Sequence, residues 1–516
     1  MRTVFIDGET LTIEDVAAVA RGYAEVEIPQ NVRERVEKCR QIVEEFVKEK
    51  KVVYGVTTGF GALGSVIIPP KGIKELQLNL IRSHSVGVGK PLDKDVTRAL
   101  MLLRANTLAK GNSGVRLKTL ETLVQMINKG VHSVIPEKGS VGASGDLAPL
   151  SHMTLVMMGE GEAEYEGKIM SGKEAMEKAG ISPVMLDSKE GLALINGTQV
   201  MTAIGALTLY DAERTIKIAE IATAMSLEAL RGISDAFDER IHRARPHQGQ
   251  ITSAQNIRSL ISGSQIIKPS KEVVRESEVR PPHDPYCLRC APQVLGPVRD
   301  AVAYVRKVVD VEVNSATDNP LIFVEDKECL SGGNFHGQPI SVAMDLLGIA
   351  LAVVGNLSER RITRLTDEKL SGGLPAFLIH KEVKRGIHSG FMSAQMTAAA
   401  LASENKSLAH PASVDSIPTS ANFEDFVSMG SIAARKATEI LRNVEYILAI
   451  ELLCAAQGID FRGLDKLGKG TSIAYSMIRK RVPVLKEDRV LCKDVEAMVE
   501  LIRSGELVEA VERALG

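Results

Sequence analysis

Residues 139–150 read GSVGASGDLAPL, with Ala143, Ser144 and Gly145 at the centre and glycines at 139, 142 and 145. Glycine at that spacing disfavours helix and strand interiors, because it loses more backbone entropy on ordering than any other residue. A hydrolase nucleophile would need G-x-S-x-G on a strand-to-helix turn, and the glycines around Ser144 stand in the wrong places for it. A loop that wraps phosphate with backbone N–H groups stays open, as does a plain structural turn. The residues alone rank the turn first, an anion nest second and catalysis third.

Three other motifs carry chemistry on paper. GFGALG (59–64) matches the dinucleotide pattern G-x-G-x-x-G, which requires a helix to follow. Pro69 and Pro70 follow instead, so a mobile glycine loop carrying Tyr54 is the better reading. CLRC (287–290), with His283 before it, is a single C-x-x-C with no second pair. A closed zinc site needs four ligands, so two buried thiols flanking an arginine is preferred, and no metal is expected. NGT (196–198) fits a glycosylation sequon, which has meaning only in a secreted chain.

GSVGASGDLAPL resembles, nearly letter for letter, the signature of the aromatic amino acid ammonia-lyase family. The resemblance continues in family order through YGVTTGFG (54–61), RSHSVGVGKPL (82–92), LALINGTQ (192–199), DPYCLRCAPQ (284–293), NSATDNPL (314–321), SGGNFHGQP (331–339), LSERRI (357–362) and SVDSIPTSAN (413–422). In that family Ala-Ser-Gly cyclises and loses two waters, becoming the electrophile 4-methylideneimidazole-5-one. The resemblance therefore implies a prosthetic group made from Ala143-Ser144-Gly145, with no metal or nucleotide. It also implies an enzyme that removes ammonia from an aromatic L-amino acid. The electrophile takes the amine, and a positioned base takes a weakly acidic β-proton.

Roles carry over by resemblance, residue by residue. Tyr54 matches the catalytic base and Arg289 the residue that grips the substrate carboxylate, for which a guanidinium fork is suited. Asn196 and Tyr286 match groups that hydrogen-bond the prosthetic group. Asn319 and Phe335 match residues that orient substrate, and Glu424 a carboxylate near the amine. Ser83-His84 resembles the pair that faces the side chain in the histidine branch, and Met392 stands where that branch has a methionine near the imidazole. Three positions depart from the pattern: His283 for a usual glutamine, Phe423 where the branch reads NQED, and Phe426 for a usual histidine. The first reading is thus L-histidine to urocanate plus ammonia. The second is a tyrosine or phenylalanine ammonia-lyase or 2,3-aminomutase. A non-catalytic helical assembly protein comes third, and the intact Ala-Ser-Gly, Tyr54 and Arg289 speak against it.

These residues need a scaffold, and most of the chain reads as helix. Val32, Val36, Cys39, Ile42, Val43, Phe46 and Val47 recur at threes and fours, one face of a helix. Further helices are predicted over 93–110 and 115–129, stopped by Gly111 and Gly130. Three long patterns, about 202–231, 337–366 and 430–457, are apolar or small around most of their circumference and are expected to be buried in a central bundle. Strands are predicted at KKVVYGV (50–56) and PLIFVED (320–326), and a long surface loop over 262–284. The fold class is therefore mainly α: a long-helix bundle lobe (196–516) with a smaller N-terminal lobe (1–195) rich in glycine loops. By resemblance the bundle is shared in a homotetramer, with each active site built from three subunits.

The totals fit that reading. The chain has 516 residues, 44% apolar and 25% charged, with a net charge of -2, a balance that points to neither nucleic acid nor a membrane surface as partner. The apolar run 340–357 contains Asp345 and two glycines, so a buried helix is preferred to a membrane span. The N-terminus lacks a basic start followed by an apolar run. Six scattered cysteines suggest reduced thiols in a cytoplasm rather than a disulfide framework.

Overall fold

The computed structural model describes residues 2–276, 282–384 and 386–516. Twenty α-helices and nine short strands are present among the described residues. The chain forms two compact units, each discontinuous in sequence. The first is Met1–Tyr210, Val305–Asp345 and Pro411–Arg435; the second is Asp211–Tyr304, Leu346–His410 and Lys436–Gly516.

The first unit holds every strand of the described residues, in four small sheets of two or three strands. Its helix Gln30–Lys48 buries Val32, Val36, Cys39, Ile42, Val43 and Phe46, the face that the periodicity selects. Cys39, Ile42, Val43 and Phe46 of that face cluster with Val56 and Ile322. Helix Lys94–Ala109 is buried around nearly its whole circumference, and Gly111 beyond it takes φ +79°. Helix Leu117–Lys129 ends on Gly130 in the left-handed conformation, a C-terminal stop that glycine adopts without steric cost. PLIFVED forms the predicted strand, Leu321–Phe323, paired antiparallel with Glu328–Leu330.

The three long helices are Gln199–Ala229, Gln338–Thr366 and Gly430–Asp460, each about 45 Å long at 1.5 Å per residue. In the second unit one carboxylate joins them. Glu451, on the third, accepts from Arg361 Nε at 2.5 Å and Nη2 at 2.8 Å, and from Ser358 at 2.6 Å, all on the second helix. Ser226, on the first helix, donates to it at 2.7 Å. Arg361 and Glu451 are both fully buried. Glu451→Gln leaves that guanidinium buried without its counter-charge, so it is expected to destabilise the chain by about 3–5 kcal/mol. The measurement is a fall in the thermal or denaturant midpoint.

Two local expectations are corrected. KKVVYGV is no strand: the Thr57 hydroxyl donates to Lys51 O at 2.6 Å and accepts from Val53 N at 2.9 Å. That captures the backbone in a local turn, so the β-branched run finds its partners without a ladder. The expected loop 262–284 contains a helix, Ser270–Glu276, whose first residue donates its backbone N–H to Asp235 at 3.2 Å. Residues 277–281 of that stretch lie outside the described residues. The apolar run 340–357 lies in the second long helix, with Ile340, Met344, Leu347 and Leu351 fully buried.

Candidate active site

A cavity of about 1410 Å³ in the first unit is lined by Tyr54, His84, Ala143, Ser144, Gly145, Asn196, Asn319, Phe335 and Glu424. Nine residues singled out from the sequence thus meet at one place, from segments spread over most of the chain. Phe423 and Phe426, the two aromatic departures at the family's NQED region, line the same cavity. His283, Tyr286 and Arg289 do not; they line a cleft of about 1080 Å³ in the second unit. There the Arg289 guanidinium lies 4.9 Å from the centre of the Tyr286 ring. Met392 opens the helix Met392–Leu408, also in the second unit.

The Ala-Ser-Gly loop is held by backbone and by one carboxylate. Gly145 pairs with Gly197 in a parallel bridge: Gly197 N donates to Ser144 O at 3.3 Å, and Asp146 N to Gly197 O at 2.7 Å. Gly145 has φ +72°, and a Cβ there would collide with the Gly197 carbonyl. Gly142 has φ +69°, and a Cβ there would collide with Ser428 Oγ. Both positions demand glycine. Asp146 is fully buried and accepts from Val200 N at 3.1 Å and Met201 N at 2.9 Å, the first turn of the long helix Gln199–Ala229. Ser140 Oγ donates to it at 2.8 Å, and Ser431 Oγ donates as well. Burial pushes the Asp146 carboxyl above its ordinary range, and the hydrogen bonds oppose that rise. A carboxylate suits this place because a helix N-terminus carries partial positive charge.

The candidate side chains are each fixed by a neighbour. Ser144 Oγ donates to Glu424 Oε1 at 2.8 Å, and Tyr54 OH accepts from Gly61 N at 2.8 Å. The GFGALG loop thus holds the tyrosine ring by its own backbone. Asn319 Oδ1 accepts from Gly332 N at 2.8 Å. His84 Nδ1 lies 2.9 Å from Leu80 O. A carbonyl can only accept, so Nδ1 carries a proton, which in a neutral ring leaves Nε2 as the acceptor.

Two positioning elements escaped the sequence reading. Arg104 is fully buried and donates to Asn196 O at 2.7 Å, to Gln199 Oε1 at 2.8 Å and to Ala193 O. Burial lowers its pKa to about 10, and these acceptors fix the turn that presents Asn196. Lys189 and Asp318 form a fully buried pair at 2.8 Å beside Asn319, whose N–H donates to Asp318 Oδ1 at 2.7 Å. Arg104 leaves only the trace of a lone arginine in a largely apolar run, and Lys189, between Ser188 and Glu190, leaves none.

These observations describe a mainly helical protein whose glycine-flanked Ala-Ser-Gly loop faces a tyrosine and a carboxylate across one cavity. A family model described as aromatic amino acid lyase matches residues 11–480. The histidine ammonia-lyase of Alkaliphilus oremlandii is 58% identical over 515 residues, covering 100% of this chain and 99% of that protein. The histidine ammonia-lyase of Caldanaerobacter subterraneus subsp. tengcongensis is 57% identical, covering 99% of each. Among solved structures, histidine ammonia-lyase from Trypanosoma cruzi matches with a TM-score of 0.91 at 42% identity, covering 100% of this chain and 96% of that one. Tyrosine aminomutase from Streptomyces globisporus matches with a TM-score of 0.94 at 42% identity, covering 99% of each. The chain belongs to the aromatic amino acid lyase family. It is a carbon–nitrogen lyase.

The residues present fit the family's prosthetic group. Glycine is demanded at 145, the residue whose nitrogen would close on the Ala143 carbonyl to form that group. Asn196 Oδ1 is buried at the cavity wall without a partner among the described residues, an acceptor awaiting a donor. Among the described residues no three His, Cys, Asp or Glu side chains converge as a metal site.

Proposed function

We propose that this protein removes ammonia from L-histidine, giving urocanate, with 4-methylideneimidazole-5-one formed from Ala143, Ser144 and Gly145. The observation that carries the reading is the cavity itself, where the Ala-Ser-Gly loop, Tyr54, Glu424 and Ser83-His84 meet. Its curated relatives at 57–58% identity are histidine ammonia-lyases. When formed, the group supplies an electrophile that makes the amine a better leaving group. Tyr54 removes the β-proton. Glu424 faces the amine, Arg289 pairs with the carboxylate, and Asn319 and Phe335 orient the substrate. Asn196 and Tyr286 hydrogen-bond the prosthetic group. Met392 and His283 flank the imidazole.

The family resemblance carries the further reading that the chain works as a homotetramer whose active sites draw on three subunits; Tyr286, Arg289, Met392 and His283 belong to the second unit. We also place it in the cytoplasm; its six cysteines are all free thiols, as a reducing compartment keeps them. The test is incubation with single amino acids and detection of the conjugated acrylate. Urocanate from histidine, with no product from tyrosine or phenylalanine, supports the reading.

Phe423 and Phe426 favour a second reading, a lyase or aminomutase for tyrosine or phenylalanine. They replace polar side chains on the cavity wall, and Phe426 stacks on His336 at 6.0 Å. His84→Leu separates the two. With Nε2 of His84 accepting from an imidazole N–H, its loss leaves a buried polar group unpaired, at about 1–3 kcal/mol. The expected result is a fall of about ten- to a hundredfold in kcat/KM for histidine, with activity on phenylalanine unchanged or raised. Wild type that turns over phenylalanine and leaves histidine untouched reverses the assignment.

A further inference from the structure

We infer that Glu424 has a second task that precedes turnover: it is the acid–base group for the loss of water from Ser144. This rests on the reading that residues 143–145 become the prosthetic group. The Ser144 hydroxyl donates to Glu424 Oε1 at 2.8 Å. The other carboxylate oxygen, Oε2, accepts from Thr419 Oγ1 at 2.8 Å. Thr419 and Glu424 also exchange backbone hydrogen bonds, Thr419 N to Glu424 O at 2.9 Å and Glu424 N to Thr419 O at 3.3 Å. The turn they close places Ser420, Ala421 and Asn422 all at positive φ. Three successive left-handed residues, none of them glycine, persist only where the surroundings over-determine them, and such strain gathers at functional sites. Here it delivers a carboxylate anchored through one oxygen, with the other on the hydroxyl that must leave.

Losing water from Ser144 breaks its Cα–H and Cβ–O bonds and forms Cα=Cβ. The Cα–H electron pair becomes the new π bond, and the Cβ–O pair leaves with the oxygen. The Cα proton and the departing hydroxide make up the water. No oxidant or reductant enters. Hydroxide leaves poorly, so a proton must reach Oγ as the bond breaks. Glu424, in contact with that oxygen, takes up the Cα proton, delivers a proton to Oγ, and ends as the carboxylate that it began as. With the hydroxyl gone, Oε1 is released for the substrate amine. One side chain thereby serves maturation first and turnover second, with Thr419 as its positioning residue.

The experiment is cell-free synthesis of the full chain, with intact mass followed over time for wild type, Glu424→Gln and Thr419→Val. Wild type is expected to become two waters lighter than its sequence. Glu424→Gln is nearly isosteric but its amide can neither take up nor release a proton near neutral pH, so its last water should leave about a hundredfold more slowly, and the chain stays heavier than wild type by at least one water. Thr419→Val keeps the shape and loses the anchor, so it should mature about tenfold more slowly to the same final mass, with Thr419→Ser restoring the rate. Circular dichroism confirms that each variant folds; if Glu424→Gln does not, the Thr419→Val rate decides, and a wild-type rate there overturns the inference. Glu424→Gln that loses both waters on the wild-type schedule but releases ammonia slowly also overturns it, and leaves the proposed function standing. Folded wild type that keeps both waters sinks the proposed function and this inference together.

Discussion

Ser144→Ala is expected to abolish ammonia release, by about three orders of magnitude or more, and to leave the chain at its full sequence mass. A thousandfold loss is about 4 kcal/mol of barrier, far beyond what one half-buried cavity-wall hydroxyl contributes to packing. The Ser144 hydroxyl has one hydrogen bond among the described residues, to Glu424, and Glu424 keeps its Thr419 partner without it. The loop is pinned elsewhere, by the Gly145–Gly197 bridge and by Asp146 on the first turn of the long helix. Removing the hydroxyl therefore spares the fold and removes the atom whose departure would make the proposed electrophile. Wild type should be lighter than its sequence by two waters, and the variant should melt within a few degrees of wild type. An active wild type at unmodified mass would sink the mechanism.

Much of this was legible in the sequence, for identifiable reasons. The three long helices are apolar on most of their circumference, and a buried helix needs no finer pattern to be seen. Gly111 and Gly130 mark helix ends because left-handed φ is nearly reserved for glycine. The GSVGASGDLAPL loop stood out because no regular element tolerates it, yet its chemistry came only from family resemblance. Nothing in its spacing says that Gly145 must close on Ala143. A fourth long helix, Ala291–Glu312, was hidden by Pro292 and Pro297; the first falls in the opening turn, where proline is tolerated, and the second is accommodated inside.

Other features were illegible because they are long-range or local in a way that propensity ignores. KKVVYGV has strand composition, but one threonine hydroxyl draws its backbone into a turn. Arg104 is an ordinary arginine in the sequence and a fully buried hub in the structure, its acceptors lying between 193 and 317. No local pattern announces a partner so far along the chain. The candidate set itself divides as the structure divides. Nine residues meet in one cavity of the first unit, while Arg289, Tyr286, His283 and Met392 belong to the second. The sequence order of the motifs carries no information about that partition.

Tyr54→Phe carries the other large effect: kcat should fall by about a hundred- to ten-thousandfold, the range for removing a positioned general acid or base, with KM within about twofold. The substitution deletes one oxygen. That oxygen accepts from Gly61 N at 2.8 Å, and Gly61 lies on the cavity wall, where water can take up the freed N–H. The structural cost is therefore about 1 kcal/mol. The ring stays seated, because it packs against the backbone at Gly64, where a Cβ would already stand 3.0 Å from Tyr54 Cε2. The carboxylate grip proposed for Arg289 does not involve this oxygen, so ground-state binding should persist. A loss confined to kcat identifies an interaction made in the transition state, whereas a rise in KM alone would mark uniform binding. Intact mass keeps the two stages of the enzyme apart: Tyr54→Phe should lose both waters as wild type does. If it keeps near wild-type turnover, the proton is taken by another group in the cavity. His84, whose Nε2 is left as an acceptor, is then the group to replace next.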